Sequence, residues 1–201
     1  MDEPDWMAPR GVPWRVEGRT PLHDNPWFAL DEYAAVAPTG RSARYFLQRY
    51  KNLAVGVLPL HEDGTVTLVG QWRFPFGTYS WEMPEGGAPH AEPPLEGARR
   101  ELREEAGLVA ADWRQVLTMQ LSNASSDEIA HLFLATGLSP VPPEPDATEE
   151  LSLARPPFRE ALAAATGGLI QDSLTVAMLL RVYHMAREGD LPQALARAVL
   201  G

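Results

Sequence analysis

Cysteine is absent from this chain of 201 residues. No disulfide can form, and no thiolate can hold zinc. The five histidines show no metal-ligand spacing. Any metal site must therefore rest mainly on oxygen donors, and carboxylate-rich sites suit hard ions such as Mg²⁺ or Mn²⁺. Basic charge is also scarce. Seventeen Lys and Arg stand against 27 Asp and Glu, a formal net charge of −10. Such a chain is a poor partner for a nucleic acid polymer or an anionic membrane surface, both of which call for basic patches. No apolar run is long enough to span a bilayer. The opening Met1-Asp2-Glu3-Pro4 has neither a basic region nor an apolar stretch behind it, so a cytoplasmic location is expected. What is present is enough for one sizeable core: 45% of the residues are apolar, and the length suits one domain better than two.

Residues 1–26 carry many Pro and Gly with Trp6 and Trp14 among them, and predict an irregular arm. Short strands are expected between Trp27 and Tyr50, broken at Pro38-Thr39-Gly40. Asn52 to Leu60 and Thr65 to Gln71 flank the polar turn His61-Glu62-Asp63-Gly64 and predict a hairpin. Trp72 to Ser80 reads as an aromatic loop. Pro93 to Ala106 is the clearest helix, with proline in its first turn and Gly107 where a left-handed residue can end it. Two further strands are expected over 113–121 and 128–135, around the polar segment 122–127. A Pro-rich acidic linker follows at 139–148. Helices are expected over 158–165 and 173–187, the second capped by Asp172, with a short one after Leu191. The mixture lacks the regular strand–helix alternation of a doubly wound fold.

On the central helix, at about 100° per residue, Glu105 falls roughly 40° to one side of Glu101 and Glu104 roughly 60° to the other. Three carboxylates share one patch. Leu95, Ala98, Leu102 and Ala106 form a neighbouring stripe that can dock on a sheet. Like charges this close repel unless cations join them. A solvated face with Glu–Arg pairs is the ordinary explanation of such a helix. The spacing upstream argues otherwise. Gly86, Glu92, Arg100, Glu101, Leu102, Glu104, Glu105, Gly107 and Leu108 fill the pattern Gly-x5-Glu-x7-Arg-Glu-U-x-Glu-Glu-x-Gly-U, where U is bulky and apolar.

This pattern is the signature of the Nudix hydrolases, which the chain resembles. Asn25-Pro26-Trp27, Gln71-Trp72-Arg73, Trp81 to Gly86, Ser122 to Leu134 and Ile170 to Ala177 are similar to the branch of ADP-ribose and nucleotide-sugar pyrophosphatases. The resemblance covers roughly residues 25–185. It implies an α+β Nudix fold, a mixed β-sheet sandwiched between α-helices, with an N-terminal arm or strands. Residues 1–26 would be the arm and 27–201 the Nudix hydrolase domain, with 27–50 serving as dimerisation strands of a homodimer.

The resemblance also assigns roles. Glu101 and Glu105 would be the main metal ligands, Glu104 a further one, and the Glu85 backbone carbonyl would complete the site. Many relatives carry Ala at that position, so Glu85 alters the site's charge. Glu92 and Arg100 would orient the loop and ligands. The cation, Mg²⁺ or Mn²⁺, would offset the diphosphate's charge and acidify water, and a carboxylate would take the proton. Glu128, in Ser125-Ser126-Asp127-Glu128, is the candidate base, with Glu101 the alternative. Arg73 and Glu82 are candidates for phosphate and for base or ribose contacts. Trp27 and Phe28 could stack on a nucleobase. His131, within apolar Ile129 to Leu134, reads as a satisfied strand histidine. The substrate would be ADP-ribose or a nucleoside diphosphate sugar. The alternatives are a nucleoside triphosphate or dinucleoside polyphosphate hydrolase, or a non-catalytic module that senses ADP-ribose.

Overall fold

The computed structural model describes residues 3–142, 144 and 150–201. Met1, Asp2 and part of the expected linker at 139–148 lie outside the described residues. Two compact units emerge: Met1–Lys51 with Leu121–Glu128, and Asn52–Gln120 with Ile129–Gly201.

The first unit holds a sheet of β1 (Arg15–Asp24), β2 (Phe28–Val36) and β3 (Ser42–Tyr50), all antiparallel with β2 in the centre. The irregular arm expected over 1–26 thus contains a strand of ten residues. Gly18 and Pro21 look like breakers in sequence, yet both sit where the β1–β2 register shifts. An edge strand tolerates them, because bulges and a missing N–H cost least where one side is unpaired. The break at Pro38-Thr39-Gly40 is the β2–β3 turn, closed by Gly40 N–H donating to Ala37 at 2.8 Å. Asp31 on β2 is enclosed by Arg19 and Arg49 from the strands on either side, at 2.8 and 2.7 Å. The Arg19 hydrogen bond, aided by Arg49, holds its carboxyl below the ordinary aspartate range. The 121–128 segment joins this sheet through Gln48, whose N–H donates to Ser125 and whose carbonyl accepts from Asp127.

The second unit contains two sheets. One runs β7-β4-β9-β8, from β4 (Asn52–Pro59), β7 (Glu85–Pro89), β8 (Leu108–Gln120) and β9 (Ile129–Pro140). Its β4–β9 pair is parallel and the others antiparallel, so the sheet is mixed. The other runs β10-β5-β6, from β5 (Leu68–Arg73), β6 (Thr78–Glu82) and β10 (Ser152–Ala154). The expected hairpin between 52–60 and 65–71 is therefore corrected. The turn at 61–64 forms, but only one bridge, Leu60 to Val66, follows it. Both edges of β4 are already taken by β7 and β9, so β5 must pair elsewhere. The aromatic loop expected over 72–80 is also corrected. It is the end of β5, a tight turn and the start of β6, with Gly77 N–H donating to Arg73 at 2.9 Å.

Among the described residues, four α-helices complete the unit: α1 (Pro94–Ala106), α2 (Phe158–Thr166), α3 (Ser173–Arg187) and α4 (Gln193–Leu200). The α1 stripe docks as its periodicity predicts. Ala98 packs with Val55, Ala88 and Phe133, and Leu102 and Ala106 with Val57 and Ala135. Alternation along β4 and β9 leaves Leu58, Leu132 and Leu134 for the opposite face, where α3 meets the same two strands. Gly107 ends α1 with φ +60°, and Asp172 caps α3 by accepting from Thr175 N–H at 2.7 Å. No described helix is long and apolar enough to cross a membrane. Leu102 is wholly enclosed, so Leu102→Ala is expected to lower unfolding free energy by about 2–5 kcal/mol. Urea denaturation measures this, and an unchanged midpoint would contradict the docking of α1.

Candidate active site

The stripe that buries Leu102 also decides where the carboxylates go. With Ala98, Leu102 and Ala106 against the sheet, Glu101 and Glu105 fall on the flank facing β7 and are almost fully enclosed. Glu104 stays partly exposed. The Glu105 carboxylate accepts the Glu85 N–H at 3.0 Å, which ties the start of β7 to the last turn of α1. The Glu101 carboxylate lies directly over Gly86, where any β-carbon would overlap it. The signature glycine is thus required for space. Gly86→Ala should therefore displace Glu101 and lower kcat/KM on the order of 10- to 100-fold, with a raised cation requirement. An unchanged cation titration curve would refute this reading of Gly86.

Arg100 occupies the outer side of the same cluster. Its guanidinium donates to Glu101 at 2.7 Å, to Glu104 at 3.2 Å and to the Gly87 carbonyl at 2.8 Å. Glu92 stands 3.7 Å away. Burial opposes the charged form of Arg100, but Glu101 and Glu104 outweigh it and hold the group above its usual range. The side chain thus pins a β7 carbonyl and two carboxylates at once, which is orienting geometry.

Arg73 and Glu82 come together from β5 and β6. Arg73 Nε lies 2.9 Å from both Glu82 oxygens, and Nη2 completes a fork on the same carboxylate. Glu82 is only 2% exposed, so this is no ordinary surface pair. The Glu82 hydrogen bonds raise the Arg73 guanidinium further. Arg73 Nη2 also reaches Glu85 Oε1 at 3.4 Å. Burial, then Asp172 and Glu82, push the Glu85 carboxyl well above the ordinary glutamate range. Its Oε2 is buried without a hydrogen-bond partner.

Two residues here escape sequence reasoning in their site role. The sequence assigns Asp172 a capping role within the branch-like segment Ile170 to Ala177, and in the structure its charge also acts on Glu85. Thr175, fully buried, accepts the Met83 N–H at 2.9 Å and so fixes the backbone between Glu82 and Glu85. A polar residue within the apolar run of α3 was the available signal.

Within the first unit, Phe28 and Glu128 meet around Tyr50. The Phe28 and Tyr50 rings are 6.4 Å apart, and Glu128 joins burial in raising the Tyr50 hydroxyl. Burial, then Asp127, raises the Glu128 carboxyl above the ordinary range. Trp27 is held by the Asn25 turn, whose side chain accepts from both Trp27 and Phe28 N–H groups, and its indole is 71% exposed. His131 pairs with Gln115 at 3.0 Å on neighbouring strands.

Among the described residues, no three carboxylate or imidazole groups are already drawn around one point. The donor chemistry nevertheless suits a hard divalent cation: two enclosed carboxylates, Glu101 and Glu105, with a third, Glu104, beside them on the same helix.

Fold and site together define the class: an α+β domain whose glycine-led strand and docked helix present buried glutamates beside an Arg–Glu fork. The chain belongs to the Nudix family, and the NUDIX domain profile matches residues 51–174. It is 35% identical over 179 residues to an ADP-ribose pyrophosphatase of Mycobacterium tuberculosis, covering 87% of this chain and 85% of that one. A GDP-mannose pyrophosphatase of Yersinia enterocolitica is 29% identical over 175 residues, covering 80% and 91%. A crystal structure described as an ADP compounds hydrolase superposes with a TM-score of 0.77 at 19% identity, covering 92% of this chain and all of that one, and so shares the fold.

Proposed function

We propose that this Nudix pyrophosphatase hydrolyses the diphosphate of ADP-ribose or a nucleoside diphosphate sugar, releasing a nucleoside monophosphate and a sugar phosphate. The observation that carries this is the pair of enclosed carboxylates, Glu101 and Glu105, held against the β7 backbone where Gly86 leaves room. Similarity to pyrophosphatases over most of the chain supports the substrate class. Glu101, Glu105, Glu104 and the Glu85 carbonyl would hold Mg²⁺ or Mn²⁺. When bound, the cation supplies charge neutralisation for the diphosphate and makes water more acidic. Arg100 orients the ligands, and Arg73 faces a phosphate while its Glu82 partner reads base or ribose. Glu128 takes the proton from the attacking water. Burial, and then Asp127, raise its proton affinity, which makes it a stronger base. The decisive test is a panel of ADP-ribose, GDP-mannose, UDP-glucose and nucleoside triphosphates with Mg²⁺, with products separated by chromatography. Cleavage of triphosphates alone would overturn the reading.

We also read residues 1–26 as an arm to a hydrolase domain at 27–201, and the chain as a homodimer joined through the strands of 27–50. Support comes from β1, which is exposed along nearly its whole length, and from Trp14, Val16, Leu22 and Phe46, each at least 45% exposed. Apolar surface of that kind commonly meets a partner. Removing residues 1–26 is expected to weaken dimerisation or substrate affinity, and removal through Phe28 to do more harm, because Trp27 and Phe28 are the stacking candidates. Light scattering showing a monomer at micromolar concentration, with unchanged KM for the shorter truncation, would sink this prediction.

A further inference from the structure

We propose that Arg159, Tyr183 and Arg187 form a binding site for a doubly charged phosphate-class anion, either inorganic phosphate or the phosphate group of a small monoester. None of the three belongs to the carboxylate cluster or to the Arg73–Glu82 fork. Arg159 lies in the first turn of α2, and α2 packs on α3. Tyr183 and Arg187 stand one turn apart near the end of α3, so they share a face of that helix. The Arg159 guanidinium carbon sits over the Tyr183 ring, 5.2 Å from its centre. A cation–π contact of this kind restrains the guanidinium. Arg159, and then Arg187, hold the Tyr183 hydroxyl below the ordinary phenol range, so both guanidiniums act on the same oxygen.

The charge balance decides the ligand. Acidic side chains outnumber basic ones in this chain, 27 to 17, and most of its arginines are ion-paired. Among the described residues, Arg159 and Arg187 form no ion pair, although Glu160 and Glu188 are their sequence neighbours. Two like charges drawn onto one phenol repel each other. A neutral hydroxyl accepts a hydrogen bond from each but cancels neither charge. A carboxylate would cancel only one. A phosphate dianion matches both, and its several oxygens can take two guanidinium forks and the phenol O–H together. Access is open: both arginines are exposed and Tyr183 is partly so. The net charge of −10 disfavours a long polyanion here and leaves a small anion as the fitting occupant.

The test is calorimetry and thermal melting of the full chain in excess chelator, which silences any cation at the carboxylate cluster. The probes are inorganic phosphate and, separately, ribose 5-phosphate, each against sodium chloride at matched ionic strength. Both should raise the melting temperature above the chloride control. Arg159→Gln and Arg187→Gln should each raise the phosphate Kd by roughly 10-fold or more, because each removes a charge-assisted fork. Tyr183→Phe should raise it by a smaller factor, and Arg187→Lys should fall between the unaltered protein and Arg187→Gln, keeping the charge but not the fork. Glu105→Gln should leave the phosphate Kd unchanged, which separates this site from the carboxylate cluster. Circular dichroism should show every variant folded. Equal affinity for the two probes identifies the phosphate group as sufficient, and tighter binding of ribose 5-phosphate identifies a phosphorylated small molecule as the ligand; either result upholds the site. No binding beyond the chloride control, or binding that Arg159→Gln and Arg187→Gln both retain at full strength, would overturn it.

Discussion

Glu105→Gln is expected to lower kcat/KM by about 10²- to 10³-fold while the fold persists. The carboxylate sits 5% exposed on the flank of α1 and accepts the Glu85 N–H at 3.0 Å. Glutamine has the same length and keeps a carbonyl that can accept that bond, so β7 should stay in place. What disappears is a full negative charge and a hard oxygen donor at the cation. Cation stabilisation of transition-state charge is worth several kcal/mol, and about 1.4 kcal/mol corresponds to a tenfold rate change. Excess chelator should abolish turnover of the unaltered enzyme to a similar or greater degree. Circular dichroism should show the variant folded. Full activity in chelator, or full activity of the variant, would refute metal-dependent catalysis at this helix.

The second large effect is expected at Glu128. Glu128→Gln should lower kcat by about 10²- to 10⁴-fold, the usual contribution of a positioned general base, with a much smaller change in KM. The pH dependence provides a separate readout. Burial, and then the neighbouring Asp127, raise the proton affinity of Glu128. A base must be ionised to work. Activity should therefore fall as pH drops through a value above the ordinary glutamate pKa of about 4.3, and should be flat above it until another group titrates. That acid limb should vanish in the glutamine variant. An unaltered kcat, with the acid limb still present, would reassign the base to Glu101 or to another group.

Much of this site is written locally. The glycine, glutamate and arginine spacing from Gly86 to Leu108 needs no partner to be read, because a helix repeats its geometry every few residues. The same period that places Leu102 against Val57 and Ala135 places Glu101 and Glu105 beside β7. Gly107 ends the helix for a reason carried by the residue itself, its freedom at positive φ. Asp172 caps α3 through a contact three residues along the chain.

Strand partners are different. Alternation tells which face of a strand is apolar and says nothing about which neighbour will accept its hydrogen bonds. Hence the sequence predicts a hairpin between 52–60 and 65–71, whereas β4 pairs with β7 and with β9, some 76 positions further along the chain in register. Proline and glycine in 15–24 looked like breaks because their cost depends on whether the strand lies at an edge.

The sequence by itself determined the family signature, the central helix and its ends, and which glutamates share a face, since each depends on residues within a few turns of one another. Only the tertiary structure decided how far each carboxylate is buried and who its neighbours are. Thr175 reaches Met83 across 92 residues, and Asp172, the cap of α3, acts on Glu85 in β7. Burial and charge environment depend on what packs against a residue, and those neighbours arrive from distant parts of the chain.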